Sequence, residues 1–181
     1  MTKSALTSGF TVNVRELLRS PGTRRDFRLR GPLLDVRTPV AAVEGTTPVE
    51  VAVDVAGVVD GLLVTGEVSA AVRLSCVRCL SDVGDELHVP VEELFLLDPE
   101  GADDEGYTIQ AGELLPLETM ARDALVLAFP AAPLCRPDCA GLCPTCGADR
   151  NESTCDHTEA VDPRWAALAQ LVERDDNRPR R

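Results

Sequence analysis

Between residues 48 and 95 the chain alternates apolar and polar side chains in long runs: VEVAVDVAGVV, then LLVTGEVSAAVRLSCV, then ELHVPVEELF after turn residues near positions 81–84. A period of two over such lengths marks strands that bury one face, and the short breaks predict an antiparallel meander of three or four strands. Upstream, RRDFRLR alternates from Asp26 onward and reads as a further strand. The stretch FTVNVRELLRSPG begins strand-like, after which Asn13 can cap a short helix through Leu17 and Leu18 that Pro21 and Gly22 end.

The period lengthens at residues 117–129, where LETMARDALVLAF sets Met120, Ala124, Leu125, Leu127 and Ala128 at helical spacing before Pro130. Near the C-terminal end, VDPRWAALAQLVE starts with Asp162 as a cap and Pro163 at the first helical position, with Trp165, Leu168, Leu171 and Val172 on one face. DPEGADDEGY, at 98–107, is acidic and aperiodic and reads as a mobile loop.

Composition narrows the architecture. At 181 residues and 44% apolar content, one core with an appendage is affordable, but two full domains are not. Aromatics make up 3%, so the core must be Val, Leu and Ala, and stacking platforms for nucleotides are scarce. No apolar run reaches the ~18 residues of a membrane span, and MTKSALTSGF lacks a secretory profile, so a cytoplasmic location is expected. The net charge of −12 opposes simple electrostatic capture of nucleic acid. Its distribution is uneven: residues 1–40 hold eight basic and three acidic residues, a net +5, leaving −17 on the other 141. Arg24, Arg25, Arg28 and Arg30 are therefore candidate RNA contacts, although a solvated strand face explains them as well.

The densest chemistry lies in LCRPDCAGLCPTCGADRNESTCDH, which holds Cys135, Cys139, Cys143, Cys146 and Cys155, five of the seven cysteines, with His157. Close cysteine spacing in a reducing compartment reads as a metal site rather than as disulfides. Cys143-Pro-Thr-Cys146-Gly147 has the spacing of a zinc knuckle, two thiolates three positions apart with a glycine for the tight turn. The quartet Cys135, Cys139, Cys143 and Cys146 is the preferred ligand set for structural Zn2+, with a mixed set drawing on Cys155 and His157 as the alternative. Four thiolates would leave no open position to activate water. Cys76 and Cys79 lie at the end of a strand-like run. Alternation would point them to opposite faces unless the strand curls, so a second knuckle borrowing ligands from the tail and a pair of buried thiols beside a turn both fit.

No enzyme signature accompanies these groups. Nucleophile elbow, phosphate-cradling loop and HExxH helix are all missing, and a deaminase-type pair fails because Leu142 stands where proline is needed before Cys143. His88, in an alternating run, is expected at the surface.

Taken in order, ELLRSPG, the C-V-R-C-L at 76–80, RDALVLAFP at 122–130, CRPDCAGLCPTCG at 135–147 and DPRWAAL at 162–168 resemble the YceD family of small bacterial and plastid proteins. The resemblance spans nearly the whole chain. It implies a part in accumulation of large-subunit ribosomal RNA, and it singles out Cys76, Arg78, Cys79 and Gly141 with the four tail cysteines as motif positions. Many relatives end the cluster in C-x-C, where this chain has Cys155-Asp156-His157.

The expected protein is thus α+β: an antiparallel β-meander sheet covered by helices, with a C-terminal Cys-rich, zinc-knuckle-like segment. Its divisions are a core at 1–130, a zinc-binding segment at 131–160, a docking helix at 161–173 and a polar tail at 174–181. The expected function is a non-catalytic ribosome biogenesis factor binding a ribosomal protein or a pre-ribosomal large subunit, with no membrane or small-molecule substrate. The alternative is an RNA-binding zinc protein contacting rRNA through its Arg-rich head; a zinc-sensing regulator or metal-dependent enzyme is a third reading.

Overall fold

The structure, a computed structural model, describes residues 9–45, 47–97, 106–111, 113–157 and 164. The docking helix expected at 161–173, with Trp165, the polar tail and most of the acidic loop at 98–107 lie outside the described residues. Among the described residues no helix is long and apolar enough to cross a membrane.

The alternating runs become strands. β1 (Thr11–Asn13) precedes α1 (Arg15–Arg19), and β2 (Arg24–Gly31), β3 (Ala41–Val43), β4 (Val49–Val58), β5 (Gly61–Ser75) and β6 (Asp82–Leu96) follow. β7 (Tyr107–Thr108), β8 (Leu114–Pro116) and α2 (Leu117–Ala128) complete the described elements. The main sheet runs β2-β4-β5-β6-β7, with β3 also paired to β5, and every pairing in it is antiparallel except β6 with β7. β1 and β8 form a separate two-stranded ladder. The mostly antiparallel sheet with two helices agrees with the α+β expectation.

Strict alternation sorts β4 into two faces: Val49, Val51, Val53 and Val55 are buried, while Glu50, Ala52 and Asp54 are exposed. On β5, Leu62, Val64, Val68, Ala70 and Val72 join the same core, and Phe95 of β6 closes one end of it. This core is built of valine and leucine, as the scarcity of aromatics requires. Gly61, opening β5, has no room for a side chain, because a Cβ there would lie 2.0 Å from the Phe95 carbonyl oxygen. α2 buries Leu117, Met120, Ala121 and Leu125 in the core cluster; Leu127, expected on the apolar stripe, is 85% exposed. α1 is a single turn whose N-cap position is Val14 with no side-chain cap, so Asn13 does not cap it as expected; its Oδ1 accepts from the Arg15 N–H at 3.2 Å from one residue earlier.

β5 and β6 pair over fifteen positions, from Gly61↔Leu96 to Ser75↔Asp82. The break in alternation therefore falls at residues 76–81, earlier than the turn expected near 81–84. Cys76 and Cys79 lie in this connection, beyond the end of the strand, so opposite-face placement never arises. Tyr107, expected in the acidic loop, instead forms β7. Its ring stacks on Phe95 at 5.1 Å, and its hydroxyl donates to Asp123 at 2.9 Å.

The chain divides into two compact units, Met1–Cys139 and Ala140–Arg181. The boundary differs from the expected division after residue 130. The difference has a physical cause: residues 133–139 bond to the β5–β6 turn, and so Cys135 and Cys139 belong with the sheet.

Candidate metal centres

The first group forms where the β5–β6 hairpin turns. The Cys76 N–H donates to the Ser81 carbonyl at 2.9 Å and the Leu80 N–H donates back to the Cys76 carbonyl at 2.9 Å. The second knuckle repeats this pattern, with Cys143 N–H to Ala148 O at 2.8 Å and Gly147 N–H to Cys143 O at 2.8 Å. Each turn thus carries two cysteines three apart and then a residue in the left-handed region, Leu80 at φ 61° and Gly147 at φ 73°. The turn points both thiols and the intervening amides to one side, as a metal knuckle demands.

The second pair of the first group arrives from the segment after α2. The Val77 N–H donates to the Pro133 carbonyl at 3.0 Å, and Arg78 Nη1 donates to the Cys139 carbonyl at 2.9 Å. These bonds bring Cys139 Sγ to 3.8 Å from Cys76 Sγ and Cys135 Sγ to 3.6 Å from Cys79 Sγ. In the other unit, the Leu142↔Asp149 bridge and the Arg150 N–H to Gly141 O bond at 2.9 Å close a small hairpin. Asn151 Oδ1 accepts from the Ala140 N–H at 2.8 Å, and the chain then returns Cys155 and His157 to the knuckle.

The structure therefore gathers Cys76, Cys79, Cys135 and Cys139 as one group and Cys143, Cys146, Cys155 and His157 as another, with ligand atoms in each within 4.8 Å of one another. The expected quartet of Cys135, Cys139, Cys143 and Cys146 draws two ligands from each of these groups. The short spacing between Cys139 and Cys143 favoured that quartet in sequence; in the structure the Cys139 carbonyl accepts from Arg78 of the sheet turn. Two C-x-x-C turns each needing a second pair of donors was the signal available, since the chain supplies two such pairs, C-x3-C and C-x-H.

None of the seven cysteines forms a disulfide. Their separations test the fit to a metal: tetrahedral coordination with ~2.3 Å metal–sulfur bonds puts sulfurs ~3.8 Å apart, whereas a disulfide needs ~2.05 Å. The measured 3.6 and 3.8 Å match the former. Either group can hold a metal ion.

The polypeptide prepares one thiolate in each group. The Cys79 backbone N–H, helped by those of Cys135 and Arg78, lowers the Cys76 thiol to about 6 against the opposing effect of burial. The N–H groups of Cys146 and Thr145 lower Cys143 to about 6 in the same way. Burial first and then the Cys79 thiol push Cys135 up to about 12, and the neighbouring Cys143 pushes Cys155 up.

The Arg-rich head forms no comparable constellation. Alternation on β2 puts Arg24, Arg28 and Arg30 on one face and Arg25 on the other, where it lies 5.4 Å over the Phe27 ring. Arg30 pairs with Glu50 at 3.1 Å. His88 is a surface residue, as expected, 3.2 Å from Glu67.

Comparison with known proteins bears on this pair of groups. A family model described as large ribosomal RNA subunit accumulation protein YceD matches residues 64–172, a span containing all eight candidate ligands. The chain belongs to the YceD family. Uncharacterized proteins of Mycobacterium bovis and Mycobacterium tuberculosis are each 33% identical over 171 residues, covering 91% of this chain and 82% of their own length. One of Mycobacterium leprae is 29% identical over 182 residues, covering 96% and 82%. No solved structure matches the chain.

Two outcomes are expected of this YceD-family site. The Arg78 guanidinium fixes the Cys139 carbonyl, so Arg78→Ala, which removes the side chain but keeps the backbone N–H near Cys76, should weaken metal binding at the first group by about tenfold and leave the second unchanged. Chelator competition, with each group removed in turn by Cys→Ser pairs, measures this. Metal affinity should also fall as pH drops from 8 to 5.5. Cys135 and Cys155, raised, must shed protons to bind, and Cys76 and Cys143 regain theirs as pH passes about 6. Calorimetry in buffers of different ionisation enthalpy should register net proton release on binding.

Proposed function

We propose that this chain is a non-catalytic ribosome biogenesis factor that supports accumulation of large-subunit ribosomal RNA, binding a ribosomal protein or a pre-ribosomal particle in the cytoplasm, with zinc as its structural metal. The observation that carries the reading is the family match over residues 64–172, whose description names large ribosomal RNA subunit accumulation. Zinc is the metal that the donor chemistry favours, since four thiolates, or three with an imidazole, within 4.8 Å of one another suit it better than oxygen-preferring cations. A saturated site of either kind has no position left for water, which argues for a structural rather than a catalytic metal.

The acidic balance of −12 suits a basic partner such as a ribosomal protein better than bare RNA. The tagged full chain should capture ribosomal proteins or large-subunit precursor particles from lysate at moderate salt, read by mass spectrometry and RNA sequencing. Enrichment of neither over a charge-matched control removes the proposal.

A second reading rests on one observation, the row of Arg24, Arg28 and Arg30 along one face of β2, at the edge of the main sheet. An RNA-binding role predicts a salt-steep affinity for large-subunit RNA that drops when these three become Ala, because each lost phosphate contact lowers the salt slope by about one. An affinity indifferent to salt and to the substitutions would end this reading.

A further inference from the structure

The two candidate centres share one backbone turn but differ in what shields them. In the first, Cys76 is 0% exposed, Cys139 2% and Cys79 8%, beneath a fifteen-pair hairpin and the segment that Arg78 holds. In the second only Cys143 is buried among the ligands, Cys146 and His157 are exposed, and Cys155 is half-buried. Around that site, residues 140–157 bury Gly141 and Cys143 and no other side chain. Among these residues there is no apolar cluster, so beyond the few hydrogen bonds of its small hairpin it is the ligands that can hold the segment.

We propose that the Cys143, Cys146, Cys155 and His157 group is an oxidant-labile zinc site, that Cys146 is its modification site for peroxides, and that the Cys76 group is the inert partner on the same chain. This rests on the zinc reading above. The chemistry balances. The outward Cys146 thiolate attacks one oxygen of hydrogen peroxide and the O–O bond breaks; the departing oxygen leaves as water and a sulfenate forms. A neighbouring thiolate, Cys143 or Cys155, within 4.8 Å, displaces the sulfenate oxygen as a second water, forming the disulfide. Two thiolates lose two electrons, peroxide takes them with two protons from solvent, and zinc departs because two of its four donors are gone. In the first group three of the four sulfurs are shielded from the same encounter.

The test uses the full chain loaded with zinc and washed of excess metal, its content counted by elemental mass spectrometry before hydrogen peroxide is added in the presence of a chromogenic chelator. Two equivalents are expected at the start. One should leave on the order of tenfold faster than the other, with peptide mapping placing the first disulfide at Cys146. Fewer than two equivalents at the start would overturn the zinc reading itself. Two equivalents leaving at one rate, or a first disulfide within Cys76, Cys79, Cys135 and Cys139, would overturn the inference while leaving zinc in place. Cys146→His keeps four donors and removes the outward thiolate. It should retain two equivalents and lose the fast phase; a fast phase persisting at the unsubstituted rate would also count against the proposal.

Discussion

The long pairing of Gly61–Ser75 with Asp82–Leu96 is the constraint on which the rest of the described structure depends. Its inward residues supply much of the valine and leucine core, and its outer neighbours β4, β3 and β7 attach to it along both edges. The ladder also fixes where the chain must reverse. A hairpin of this length cannot slip by one residue without exchanging its buried and exposed faces, so Val72 and Leu74 facing inward sets the place of the turn. The position of Cys76 and Cys79 thus follows from hydrophobic register, well before any metal is considered.

From this turn a second segment is recruited. The Val77 amide and the Arg78 guanidinium both bond to residues 133–139, at the carbonyl oxygens of Pro133 and Cys139. Arg78 is therefore a positioning residue. Its placement between two cysteines lets one side chain tie the knuckle to the strand of chain carrying the other donors, and a planar guanidinium suits that better than a lysine ammonium would. Local order at the first centre is shared between packing and these bonds, so any metal there adds to a fold already specified.

Much of the architecture was legible because it is repetitive. β2, β4, β5, β6 and α2 each extend over enough residues for period two or 3.6 to emerge, and their bounds in the structure fall close to those expected except at the start of β6, which takes in the residues expected to turn. β3, β7 and β8, at two or three residues each, are too short to show any period; they exist because a neighbouring strand offers unpaired backbone groups. The metal centres were legible as ligand types but not as ligand sets. Spacing along the chain could not reveal that Cys139 joins Cys76 and Cys79, because that grouping rests on a hydrogen bond between residues 61 positions apart. Gly141 shows the same limit: its place in the motif is visible in sequence, its φ of 73° and its bond to Arg150 are not.

Leu80 and Gly147 show how the two knuckles solve one backbone problem in different settings. Both occupy the left-handed region after the second cysteine, where a side chain costs about 1–2 kcal/mol. Glycine meets the requirement at no steric cost, and nothing lies within 4 Å of where its Cβ would be, so at Gly147 the demand is purely conformational. Leucine meets it at position 80 because the turn is over-determined: fifteen paired residues precede and follow it, and Ser81 accepts from the Cys76 amide. The tail knuckle has one isolated bridge, Leu142↔Asp149, in place of that ladder. With so little beside it to offset strain, the turn needs a residue that has none, and the sequence difference between C-V-R-C-L and C-P-T-C-G records the difference in support.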